Sequence, residues 1–117
     1  MKDNSKVYAM AVSSFYPHYI SRITKHGRTL DELETVICWL TGYDKKGLQQ
    51  VLDNNTNVET FFAQAPQMHE NATKITGVIC GYRIEDIEEE LMRKCRYMDK
   101  LVDELAKGRK MEKILRT

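Results

Sequence analysis

Cysteine, charge of one sign and long apolar runs are all scarce in this sequence. The three cysteines, Cys38, Cys80 and Cys95, are odd in number and far apart. A secreted disulfide scaffold carries an even count at close spacing, so reduced thiols set among apolar residues are expected. Eighteen Lys and Arg stand against seventeen Asp and Glu, a formal net charge of +1. Counterion release from a nucleic-acid backbone needs a basic face, and a near-neutral total supplies no general attraction to one. No apolar run approaches the roughly 18 residues that span a bilayer. The opening residues 1–5, Met-Lys-Asp-Asn-Ser, lack the apolar stretch of a secretory signal. The expectation is a cytoplasmic protein with no membrane attachment.

Metal chemistry is equally thin. His18, His26 and His69 form no His-Glu-x-x-His or His-x3-His pair, and no Cys-x-x-Cys accompanies them. Zinc sites read from sequence depend on such spacings, so no metal and no cofactor are expected.

What is present suits one soluble domain. At 117 residues, 42% apolar and 30% charged, the chain supports a single core over 6–117 behind a loose segment 1–5. Residues 6–12 are apolar but short, a strand or the lead-in to a helix. Val12, Phe15, Tyr16, Tyr19, Ile20 and Ile23 then recur at helical spacing. Ser14 as cap would place Pro17 in the first turn, where its missing N–H costs nothing, and Gly27 ends the helix. Thr29-Leu-Asp-Glu32 predicts a capping box opening a helix that Gly42 stops. Asp44 caps the next short helix. Thr56-Asn-Val-Glu59 suggests another box, and Pro66 closes the turns after it. Residues 67–74 read as a polar loop.

The stretch 75–82 has equal claims as strand and as helix: its β-branched residues favour the first, and its only visible partner strand is 6–12. A long C-terminal helix is expected from about Arg83 to Lys107. Ile84, Ile87, Leu91, Cys95, Met98, Val102 and Leu105 step along one face, with acids crowding its start and Gly108 at its end. The fold class is therefore all-α: an irregular or orthogonal bundle of five to six helices, with a minor ribbon pairing 6–12 with 75–82 as an option.

Five phrases point further: His-Gly-Arg-Thr at 26–29, Trp-Leu-Thr-Gly-Tyr-Asp at 39–44, Phe-Phe-Ala-Gln-Ala-Pro at 61–66, Ile-Thr-Gly-Val-Ile-Cys-Gly-Tyr-Arg-Ile-Glu-Asp-Ile-Glu at 75–88, and the tail at 96–116. Together they resemble a family of small bacterial proteins known only as domain of unknown function 2200. The resemblance implies a compact, mainly helical bacterial domain. It brings no activity, cofactor or catalytic residue with it.

Function must then come from the residues. The aromatics, with Arg28 and Arg83 near them in sequence, suggest either core filling or a cleft for a small anionic or aromatic ligand. The candidate binding residues are Tyr16, Tyr19, Arg28, Trp39, Tyr43, Cys80, Tyr82 and Arg83; none is assigned as catalytic. The leading expectation is a non-enzymatic domain that binds a protein partner or a small ligand. One alternative is a small enzyme using Cys80, whose setting near a helix start and Arg83 would favour a thiolate. Another is nucleic-acid binding through a helix-turn-helix-like hairpin at 30–52, with Lys45, Lys46, Gln49 and Gln50 on its second helix. The acidic first helix of that hairpin disfavours it. A phosphate loop at 77–81 is disfavoured by the five carboxylates that follow. The long apolar stripe also suggests a homodimer through the C-terminal helix.

Overall fold

The computed structural model describes residues 4–116. Helix α1, Ser5–Ala9, and helix α2, Val12–Lys25, are joined by Met10 and Ala11 in extended backbone. Met10 O accepts from Val58 N and Thr56 O accepts from Val12 N, flanking a single bridge between Ala11 and Asn57. The stretch 6–12 is therefore a helix and a linker, not the partner strand of a ribbon. Of the loose segment 1–5, residues 1–3 lie outside the described residues, and Ser5 opens α1. Helix α2 also starts earlier than its sequence suggests. Val12 is buried, so the helix begins there; Ser14 lies inside, its Oγ donating back to Ala11 O at 2.6 Å, and Pro17 falls in the second turn.

Helix α3, Leu30–Thr41, opens on the capping box. Glu32 N donates to Thr29 Oγ1 at 3.1 Å, and Glu32 Oε1 accepts from Thr29 N at 3.0 Å. The Thr29 N–H, aided by Arg28, holds the Glu32 carboxyl below its ordinary pKa. Gly42 ends α3 in the left-handed region, φ 84°. The Gln67 backbone approaches so closely there that a Cβ would stand 2.7 Å from its nitrogen. Asp44 Oδ1 accepts from Gly47 N at 2.6 Å and caps α4, Lys45–Asp53. For α5, Val58–Ala63, the cap is Asn57, one residue beyond the expected Thr56, because the Asn57 amide oxygen reaches Thr60 N at 2.8 Å. The polar segment 67–74 is partly ordered as a 3-10 helix, Glu70–Lys74.

A two-stranded hairpin follows, β1 at Val78–Ile79 and β2 at Tyr82–Arg83, in antiparallel register with Val78 opposite Arg83. Cys80 and Gly81 turn it, both at positive φ (53° and 82°), the signature of a tight hairpin turn. The partner of residues 78–79 is thus their own continuation. This moves the start of the long helix. Ile84 N donates to Gly77 O at 2.9 Å, Ile84–Asp86 makes one 3-10 turn, and Ile87 and Glu89 are extended. Helix α6 runs over Glu90–Ala106, not from Arg83. With extended backbone between the 3-10 turn and α6, Ile84 is fully buried while Ile87 and Leu91 are only partly so. A last turn, α7, covers Met111–Ile114.

The fold is all-α, with seven helices among the described residues instead of five to six, α1 being the surplus, and with the hairpin as a small ribbon. Helix α6 is its axis and packs against α2, α3, α5, α7 and the hairpin. Leu101–Ala106 are all buried, as are Met98, Cys95 and Met92. The stripe that suggested a dimer is covered by the protein's own elements along that half of the helix. No helix among the described residues is long and apolar enough to cross a membrane.

Candidate functional site

The eight residues singled out in the sequence are dispersed. Tyr43 stacks on Phe61 with centroids 5.1 Å apart and donates its hydroxyl to Phe61 O at 2.6 Å. Arg28 pairs with Glu32 at 2.8 Å and donates to Arg109 O at 2.8 Å, tying the start of α3 to the loop after α6. Trp39 stacks on His69 at 4.2 Å beside Gly42 and Pro66. Tyr16 is buried between α2 and α4, where burial, with Glu34 nearby, pushes its phenol up to about 12. These four lie in separate places.

Tyr19, Tyr82 and Arg83 converge on the first half of α6, around a residue the sequence reading passed over. Arg96 projects from α6 with its guanidinium 5.3 Å from the centre of the Tyr82 ring, the geometry of a cation–π contact. It pairs with Asp99 at 3.0 Å, and Asp99 accepts the Tyr19 hydroxyl at 2.6 Å. Burial, then the Asp99 carboxylate, holds the Tyr19 phenol well above its ordinary pKa, so it stays a donor. The Arg96 Nε–H is buried with no partner among the described residues.

Tyr82 and Arg96 wall a cleft of about 390 Å³ between the hairpin and the start of α6. Its floor is Ile87 and Met92, and its rim carries Asp86, Glu88, Glu89 and Arg83. With Arg96 matched by Asp99, three carboxylates face one arginine. The Glu89 carboxylate is occupied: it accepts from Tyr8 Oη and from Asn4 Nδ2, fastening α1 to the start of α6. Asp86 and Glu88 have no ion-pair partner among the described residues, unlike Asp31, Glu32, Glu90, Asp99, Asp103 and Glu104.

The chain belongs to the domain-of-unknown-function 2200 family. The family description, an uncharacterized protein conserved in bacteria, matches residues 6–116. A solved structure, that of the uncharacterized protein SP1917, shares 37% identity over 97% of this chain and 93% of its own length, with a TM-score of 0.90. No curated protein matches. For this member of family 2200 the chemistry must therefore be read from the cleft.

Nucleophilic catalysis has little to work with there. Cys80 is exposed at the hairpin apex, and none of the residues lining the cleft is a histidine. Burial raises the thiol pKa of Cys38, and that of Cys95 to about 12, which suppresses the reactive thiolate. Among the described residues no group of three or more His, Cys, Asp or Glu is placed to hold a metal ion. On α4, Lys45 is paired with Asp31 and Gln49 Nε2 donates to Asp53 at 2.9 Å, so two of the outward groups of the helix-turn-helix reading already meet acids.

Sequence reasoning missed Met92, Arg96, Asp86, Glu88 and Glu89. The three acids were absorbed into the charge pattern of a helix that had not yet begun. Met92 and Arg96 sit one turn apart, and an apolar Met beside the main stripe was the one signal that the buried face is wider at this end.

Proposed function

We propose that this protein is a binding domain that recognises a cationic ligand, through the cleft between the hairpin and the first turns of α6. The reading rests on one observation: two carboxylates without ion-pair partners among the described residues, Asp86 and Glu88, line a cleft with an apolar floor beside Tyr82. Pockets that bind small groups pair apolar walls with a few placed polar groups. A carboxylate pair at the rim favours an ammonium or guanidinium over an anion, since opposite charge at close range lowers the free energy and like charge raises it. The anionic ligand suggested by Arg28 and Arg83 in sequence is disfavoured for this reason, and because Arg28 is committed to Glu32 elsewhere.

Tryptamine and indole-3-acetate make a matched test, the same flat ring carrying opposite charge. Titration into the 15N-labelled protein should move the Tyr82, Ile87 and Met92 amides with tryptamine, with a Kd on the order of millimolar for so small a probe. Indole-3-acetate should not move them. Equal response to the two, or none to tryptamine, overturns the reading.

A further inference from the structure

The cleft does not end at Arg96. A second hollow of about 220 Å³ shares Met92 and Arg96 with it and continues along α6, lined by Phe15, Met98, Val7 and Met10. Helix α1 borders both: Asn4 edges the cleft, while Val7 and Met10 edge the second hollow. No residue of α1 is buried, and Val7 and Met10 are 38% and 42% exposed. The two hollows adjoin across Met92 and Arg96 as a broken groove, acidic at the hairpin end and mostly apolar, rich in methionine, at the other, where His18 and Asp99 also line it.

Resting on the proposed cation recognition, we infer that the groove takes a peptide segment of a partner protein, basic at one end and apolar at the other. Charge complementarity sets the direction. Lys or Arg side chains meet Asp86 and Glu88, and the following apolar side chains lie between α1 and α6 against Met10 and Met98. Methionine suits this use, because its unbranched thioether adapts to differently shaped apolar groups. A small amine would fill the cleft and leave the second hollow empty. A peptide that fills both gains apolar burial along its length and should bind more tightly than the amine alone.

The probes are a short Leu/Lys peptide with its basic residues at one end, its Leu/Glu counterpart, and tryptamine. The Leu/Lys peptide should bind at least about tenfold more tightly than tryptamine, a difference of about 1.4 kcal/mol. It should shift amides at Phe15 and Met98 as well as at Tyr82. Val7→Asp, at an exposed position that leaves the core intact, should cancel most of that gain without abolishing the tryptamine response; Met10→Glu should do the same. Asp86→Lys with Glu88→Lys should remove both ligands. If tryptamine binds but the peptide does no better and Phe15 and Met98 stay silent, the peptide inference falls and the cleft reading stands. If the Leu/Glu peptide binds as well as Leu/Lys, charge does not select the occupant and the inference falls. Silence from every probe removes both.

Discussion

The two halves of α6 are built to opposite ends. From Leu101 to Ala106 every side chain is buried, including the charged pair Asp103 and Glu104. Each carboxylate there is held by two cations: Asp103 by Arg22 and Lys107, Glu104 by Arg109 and Arg116. From Glu90 to Lys100 the same helix leaves Leu91, Arg93, Lys94, Arg96, Asp99 and Lys100 partly open, and both hollows of the groove lie along it. Within this half Glu90 and Asp99 pair with Lys94 and Arg96, but Asp86 and Glu88 just before it have no ion-pair partner among the described residues. The difference teaches that one helix can be closed at one end and open at the other. One end pairs its charges inside the fold, and the other lies beside two carboxylates with no ion-pair partner among the described residues.

That division is open to test by substitution. Glu104→Ala should cost the most, about 3–5 kcal/mol, because it strands the largely buried Arg116 without its carboxylate, whereas the more exposed Arg109 turns to solvent. Urea denaturation would read it. Leu101→Ala removes a side chain with no exposure and should cost about 3 kcal/mol in the same assay. A cost below about 1 kcal/mol at either position would mean that the C-terminal half is not the stabilising one. Thr29→Ala, which deletes the capping box far from the groove, should cost about 1 kcal/mol. Glu89→Gln should cost only a few tenths of a kcal/mol, and its signature is local: faster amide exchange in 5–9, with the amides of 101–106 unchanged. If exchange rises equally in both regions, α1 is not separately fastened by Glu89.

Acid should also weaken the C-terminal half. Burial alone would raise the Asp103 pKa, but Lys107 and Arg22 outweigh it and hold the carboxyl below its ordinary value of 3.8. A carboxyl depressed in the folded state contributes stability that is complete above its unfolded pKa and is lost as pH falls through the folded one. The contribution of Asp103 should therefore persist down to about pH 4 and decline below it. Asp103→Asn should flatten the acid limb of a stability–pH curve measured by thermal unfolding. An unchanged acid limb would show that the Arg22 and Lys107 contacts contribute nothing in solution.

How much of this was legible beforehand follows from the range over which each signal acts. Thr29 with Glu32, Asp44 and Gly42 are local devices, resolved within a few residues, and each does in the structure what its sequence suggests. The start of α6 was misread because Ile84, Ile87 and Leu91 fit a helical period and the acids at 85–90 fit a helix start. The turn that displaces it depends on Cys80 at φ 53°, and nothing about a cysteine announces a left-handed backbone. The aromatic candidates are a different case. Tyr16, Trp39 and Tyr43 are alike in chemistry, yet α2, α3 and the turn between α3 and α4 set them against different partners.

Amino-acid order alone set the helical class, most helix ends and the family, since caps, periodicity and phrase matching all act over short spans. Only tertiary packing decided the groove. Tyr19 with Asp99, and Tyr8 and Asn4 with Glu89, join residues 80 to 85 positions apart in the chain. No local pattern encodes such a meeting, because it exists only after α1, α2 and the hairpin have all closed on the same helix.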